Sequence, residues 1–352
     1  VHLLYNSTVQ NISDEQIIAQ IDALNRDFRR KNADTVNTPL PFKQFAADTR
    51  ITFCLAKVDP KGYKTTGIVR KYTKETSFMA DDKMKFSSKG GDDAWDPSKY
   101  LNIWVCDLFG RVLGYATLPG SNPEVDGIVI KYSVFGFEKG VTAPYNKGRT
   151  LTHEMGHWLG LKHIWGDMVD SGCGSDGIDD TPPQTGSNTG CNTFPKLSSC
   201  SVDSNGDMFM NFMDLSDDAC MNLFTAGQKI KMRSQFSSGG ARNTFLDSDL
   251  CDGSGAQEAP QVNEDDEESV IVYPNPIVNR LIIKRRLVTN SSDRLLEVYN
   301  IQGKLLIRRW INSESETIGF SRFADGLYLV SIGEGSGRKT YKILKQSGGN
   351  KN

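Results

Sequence analysis

Three of the chain's four histidines fall within eleven residues, HEMGHWLGLKH, positions 153 to 163. On a helix, residues four apart share a face, so His153 and His157 present two imidazoles to one ion. Glu154 lies one step round, near enough to reach a metal-bound water without ligating the metal. Gly160 suits the left-handed conformation that ends a helix, after which the chain turns and His163 returns as a third ligand. Three imidazoles leave the fourth tetrahedral position for water. Zinc lowers the pKa of that water to roughly 7, and Glu154 can take its proton. The chemistry this spacing implies is hydrolysis of an amide. H-E-x-x-H alone arises often by chance. The full H-E-x-x-H-x-x-G-x-x-H is far more demanding, and a core helix with incidental histidines has no need of Glu154 and Gly160.

The zinc ligands need a helix, and GRTLTHEMGHWLG (148–160) reads as one that stops at Gly160. SDEQIIAQIDALNRDFRR (13–30) is a second, with a capping box of Ser13 and Gln16 and apolar Ile17, Ile18, Ile21, Leu24 and Phe28 at helical spacing. VHLLYN, TRITFCLAKV (49–58), LNIWVCDL (101–108), LGYATL (113–118) and DGIVIKYSVFG (126–136) read as strands. Residues 166–223 carry little periodicity. A closing helix is expected at 225–236, with Thr225 and Gln228 as its capping box. Met155 and Trp158, between the histidines, read as core.

The 352 residues suffice for two domains, and 38% hydrophobic with 24% charged residues describes a globular chain. A net charge of −2 argues neither for nor against nucleic acid or membrane; separately, no nucleic-acid partner is expected. No apolar run approaches the roughly 18 residues of a spanning helix. The opening VHLLYNSTVQ resembles a strand entered midway, so a presequence or pro-segment, either removed or lying outside the given sequence, is expected. Cys173, Cys191, Cys200 and Cys220 lie in the loop-rich stretch without a C-x-x-C pair, so two disulfides are favoured over a zinc knuckle, in an exported setting. Their order allows three pairings. Cys54, Cys106 and Cys251 have no assigned partner.

After Cys251 the composition changes. Residues 252–269 are polar, with five consecutive acids from Glu264 to Glu268, and read as a linker. From Val270 to Asn352 the chain alternates as a small all-β domain of net positive charge, opposite in sign to the remainder.

The zinc motif resembles that of the metzincin metallopeptidases, which place a methionine turn below the metal. Met213, in MNFMDLSDDACMNLF (210–224), matches that methionine. Within metzincins, residues 1–240 resemble bacterial members of the pappalysin family, through IDALNRDFRRKNAD, LNIWVCDLFGRVLGYATLPG, GRTLTHEMGHWLGLKHIWGD, DDTPPQ and NFMDLSDDACMNLFT. The resemblance implies an α+β catalytic domain over residues 1–251. It would hold a twisted mixed sheet, a backing helix, the zinc helix and an irregular disulfide-linked lower lobe. Its activity would be that of a secreted zinc metalloendopeptidase with Glu154 as general base. It implies the pairings Cys173–Cys200 and Cys191–Cys220, and calcium at Asp176, Asp179 and Thr181. It implies strand addition of a protein or peptide substrate along LGYATLPG, and preference for a basic residue after the scissile bond. Asp217 and Asp218 could supply charge for that preference or cap the next segment. One departure stands out: where many relatives have a tyrosine two residues after the turn methionine, this chain has Leu215. Residues 270–345, with YPNP, NIQGKLL and GLYLV, resemble the sorting domain of the type IX secretion system of Bacteroidetes. That resemblance implies an immunoglobulin-like sandwich read by outer-membrane export machinery, and a secreted or cell-surface protein.

Overall fold

The computed structural model describes residues 1–167, 172–248, 250–258, 270–285, 294–311, 313, 315–333 and 338–346. They fall into two compact units, Val1–Ala259 and Pro260–Asn352.

The first unit opens with β1 (His2–Tyr5), α1 (Asp14–Phe28), α2 (Leu40–Lys43) and β2 (Val69–Tyr72). It continues with β3 (Ile103–Cys106), β4 (Gly114–Ala116), β5 (Ile128–Lys131), α3 (Arg149–Trp158) and α4 (Ala226–Ser234). The sheet order is β2-β1-β3-β5-β4. All its pairs are parallel except β4 with β5, so the sheet is mixed and β4 lies on its edge. β3 is buried along its whole length, as parallel strands covered on both faces must be. One face carries Leu3, Ile103, Val105, Ile128 and Ile130 against Ile17, Ile21, Leu24 and Phe28 of α1 and Leu151, Met155 and Trp158 of α3. The other carries Leu4, Trp104, Cys106 and Val129 against Phe78 and Met84.

Local details depart from the sequence pattern for physical reasons. Ile18 sits off the buried face of α1, 49% exposed. Ser13 Oγ accepts from Gln16 N, but the Gln16 amide donates to Phe135 O and Gly140 O instead of closing the box. α4 has the full capping box of Thr225 and Gln228. The strand expected at 49–58 is not formed. Residues 51–56 belong to no strand, and the Asn25 side chain brackets the Phe53 backbone, donating to its carbonyl at 2.9 Å and accepting from its N–H at 2.8 Å. An amide side chain thus takes the place of a neighbouring strand. β2, which the sequence did not suggest, is half-polar (VRKY) and pairs only with β1.

Residues 172–223 are largely irregular, around a small cluster of Phe42, Ile164, Met208, Phe209, Met210 and Leu223. Disulfides join Cys173 to Cys200, Cys191 to Cys220 and Cys54 to Cys251, and Cys106 is a buried free thiol. The polar stretch after Cys251 begins bound to the first unit: Gln257 donates to Gly62 O and accepts from Lys64 N. The rest of the expected linker, 259–269, lies outside the described residues.

The second unit holds β6 (Val270–Tyr273), β7 (Arg280–Arg285), β8 (Arg294–Asn300), β9 (Leu305–Ile311), β10 (Ser315–Gly319), β11 (Gly326–Ile332) and β12 (Lys339–Lys345). They form two antiparallel sheets, β10-β7-β6 and β12-β11-β8-β9. Leu281, Ile283 and Ile318 from one sheet and Leu296, Val298, Val330 and Ile343 from the other share one core, which makes a sandwich.

Polar side chains set the depth of α3. Arg149, 3% exposed, meets Asp27 of α1 at 2.7 Å and Asp34 at 2.8 Å, and Thr152 Oγ1 donates to Asp27 at 2.7 Å. Removing one partner of a buried ion pair strands the other and costs about 3–5 kcal/mol. Arg149→Ala should therefore lower the urea midpoint of the first unit steeply, and Arg149→Met with Asp27→Leu should recover much of the loss. Equal stability of Arg149→Ala and wild type would show that the pair does not anchor α3.

Candidate active site

α3 begins without a side-chain cap of its own, because its N-cap is Gly148. One distant carboxylate replaces it, and a glutamine of α1 ties down the N-cap carbonyl. Asp218 Oδ2 accepts from Lys147 N (2.7 Å) and Arg149 N (3.2 Å), and the Gln20 amide donates to Gly148 O (3.1 Å). The anion at the positive end of the helix dipole adds to this. Asp218 is 1% exposed and committed to that role, so of the two candidate acids only Asp217 is partly open to solvent.

The helix stops as its glycine suggested. Gly160 has φ +86°, its N–H donates to His157 O, and Leu161 N donates to Gly156 O. This paired closure is a Schellman motif, and a side chain at its left-handed position would be strained. It reverses the chain so that His163 faces His153 and His157. The three Nε2 atoms stand 3.1 Å from one another. Each Nδ1 has its own partner: Phe212 O for His153 (2.8 Å), Leu161 O for His157 (2.9 Å) and the Asp167 carboxylate for His163. Carbonyls and a carboxylate can only accept, so each Nδ1 carries the proton and each Nε2 lone pair points inward. Nitrogens bound to one tetrahedral ion at about 2.0–2.1 Å would be separated by about 3.3 Å, so these residues fit a cation such as zinc. Among the described residues this is the one cluster of histidine, cysteine or carboxylate ligands that closes on a single point.

Burial, then the charge of the other two histidines, holds His153 well below the usual histidine range, and burial first, then His163, brings His157 down to about 4. Both are thus kept neutral, as ligation requires. Glu154, 9% exposed, is pushed up to about 8 by burial. A dication beside it would favour the carboxylate again.

Glu154 lies under the edge strand. A Cβ on Gly114 of β4 would stand 3.2 Å from Glu154 Cγ and 2.9 Å from Val129 O, so glycine is what lets strand and glutamate approach. Further along, Pro119 comes to 3.4 Å from the Cβ position of Gly160, so the strand and its continuation run alongside α3. Below the histidines, Met213 is fully buried, its Sδ against Gly156, where any side chain would collide with it. Met155 and Trp158 are buried in the core, as the sequence suggested.

The calcium candidates are only partly assembled. Asp176 Oδ1 accepts from Thr181 Oγ1 (2.6 Å) and Ile178 N (3.0 Å), and its Oδ2 is buried without a partner. Asp179 is exposed. Leu215, 43% exposed, follows directly on Asp214, whose carboxylate is bound by Gln184 and Asn188.

Sequence reasoning missed Gly114, Gly156, the place of Asp218 at the start of α3, and the partners of the three Nδ1 atoms. Backbone carbonyls leave no trace in a sequence. Asp167, four residues after His163, was legible only as a nearby carboxylate. Loss of such an orienting partner typically weakens metal binding 10- to 100-fold. Asp167→Ala is expected to weaken divalent-metal binding by roughly that factor in competition with a chromogenic chelator. Unchanged affinity would show that Asp167, 52% exposed in its side chain, does not orient the ring.

The family model described as pregnancy-associated plasma protein-A, of peptidase family M43, matches residues 86–237. The model described as the secretion system C-terminal sorting domain matches residues 271–346. Mature mirolysin of Tannerella forsythia, solved in complex with a cleaved peptide, is 48% identical with a TM-score of 0.69, over 73% of this chain and 96% of that one. An extracellular metalloprotease of Verticillium alfalfae is 42% identical over 142 residues, 38% of this chain and 49% of that protein. One of Arthroderma otae is 29% identical over 239 residues, 65% of this chain and 73% of that protein. The chain spans about half the length of the first curated fungal relatives it matches. Its sorting domain marks it as a secreted or cell-surface protein of a Bacteroidetes-type bacterium. With near-half identity along almost the whole of a solved member, and the three histidines closed on one point, the chain belongs to the pappalysin family of metallopeptidases and carries a secretion sorting domain behind its peptidase unit.

Proposed function

We propose that this chain is a zinc-dependent endopeptidase acting on proteins or peptides. The observation that carries the proposal is the closure of His153, His157 and His163 on one point, with Glu154 beside them under an open sheet edge. Zinc, when bound, supplies a Lewis acid for the scissile carbonyl and for the attacking water. Glu154 accepts the proton of that water and then returns it to the leaving amine. Its burial raises its affinity for a proton, which suits a group that takes one up from water. The outer edge of β4 offers unpaired backbone groups to an extended substrate, which would add to the sheet as a strand and lie across the histidines. This mode takes a chain that continues on both sides of the cut. We assign the preference for a basic residue after the cut to Asp217, since Asp218 is occupied at the helix start. We further propose calcium at Asp176, Asp179 and Thr181, supported by the orphaned Asp176 Oδ2. The second unit would engage the outer-membrane export machinery.

Two experiments test this reading. Wild type should cleave a protein substrate, and a chelator or Glu154→Ala should abolish the cleavage, the mutant still holding zinc. Equal inertness of zinc-loaded wild type and mutant would sink the enzyme reading in favour of a binding protein. Leu215 cannot donate to the oxyanion that develops on the substrate, and losing such a donor typically costs about 100- to 1000-fold in rate. Leu215→Tyr is therefore expected to leave kcat/KM unchanged or raise it. Strong inactivation with zinc retained would show that Leu215 has another role.

A further inference from the structure

The three histidines are not held equally. His153 and His157 ride on a buried helix, whereas His163 stands on the loop after Gly160 with 24% of its side chain exposed. A loop imidazole must lose rotameric freedom to ligate, so whatever fixes it in advance strengthens metal binding. The Trp165 indole lies flat on the His163 ring, with centroids 4.4 Å apart and planes 5° from parallel. Its body is partly buried against the cluster of Phe42, Ile164, Met208 and Leu223, so the indole has a fixed base from which to hold the ring. The backbone is equally constrained. Gly166 N donates to His163 O, Gly166 has φ +69°, and any side chain there would collide with Ser175 O. The same tight turn then brings Asp167 to His163 Nδ1.

We infer that Trp165 is a positioning residue for the third metal ligand, clamping the face of the His163 ring while Asp167 holds its edge. This rests on the reading of the three histidines as zinc ligands. Its physical basis is twofold. The stack orders the imidazole before metal arrives. It also strengthens once metal binds, because an imidazole sharing a cation's charge lies over the negative face of the indole. A residue that only filled space would contribute the first effect weakly and the second not at all.

The test uses the full chain, as wild type, Trp165→Phe and Trp165→Leu. Zinc affinity is measured by competition with a chromogenic chelator, the visible spectrum is recorded with cobalt in place of zinc, and the metal-free urea midpoint reports folding. Trp165→Leu should weaken zinc about 10-fold or more and alter the cobalt bands. Trp165→Phe, which keeps an aromatic face, should stay within about 3-fold of wild type. Cobalt should quench indole emission in wild type, and Trp165→Phe should lose much of that quenching, a readout that stands even if the leucine variant does not fold. Wild-type zinc affinity in Trp165→Leu, equal losses in both variants, or unchanged quenching in Trp165→Phe would each overturn the inference. Failure of the wild type itself to bind zinc would instead remove the zinc reading, and this inference with it.

Discussion

Three imidazole nitrogens 3.1 Å apart, all with lone pairs turned inward, repel one another unless a cation lies among them. Much of the first unit is arranged to impose that geometry. Two of the rings come from successive turns of one helix and cost little to align. The third requires the chain to reverse within a few residues, which Gly160 permits through its left-handed backbone. Tautomer then matters as much as position. The carbonyls of Phe212 and Leu161 and the carboxylate of Asp167 fix the protons outward, so the lone pairs have nowhere else to point. Phe212 adjoins Met213, so the same turn that packs beneath the helix also orients its first ligand.

The zinc helix is located by polar groups as much as by its apolar face. Leu151, Met155 and Trp158 settle it against the sheet and α1, but such a face tolerates sliding. Arg149 between Asp27 and Asp34, Thr152 on Asp27, and Asp218 and Gln20 at its start are directional, and they leave little freedom along the axis. Buried charges are seldom the most stable solution, yet here they tie the helix to one register against α1 and the lower lobe.

The edge strand completes the site by proximity. Gly114 allows β4 to descend onto Glu154. Trp165, Gly166 and Asp167 form the corresponding device at His163, the ligand that needs most help.

What could be read from the amino-acid order was local. The three histidines, Glu154 and Gly160 lie within one helix and its turn. α1 and α4 declare themselves by their period and caps, and the C-terminal sandwich by its alternation. Each of these rests on neighbours within a few positions. The missed features join distant positions: Thr152 to Asp27 across 125 residues, His153 to the Phe212 carbonyl across 59, Cys54 to Cys251 across 197. The segment at 49–58 had the composition of a strand, but a single asparagine side chain took up its backbone. Ser13 and Gln16 had the pattern of a capping box, but the glutamine found carbonyls from another loop. Sequence by itself determined which atoms could bind a metal and move a proton, because ligand type and helical spacing are local properties. Tertiary structure alone decided where those atoms point and how firmly they are held. Strand order, buried ion pairs and ring stacking are selected by the burial of the whole chain, and no local pattern records them.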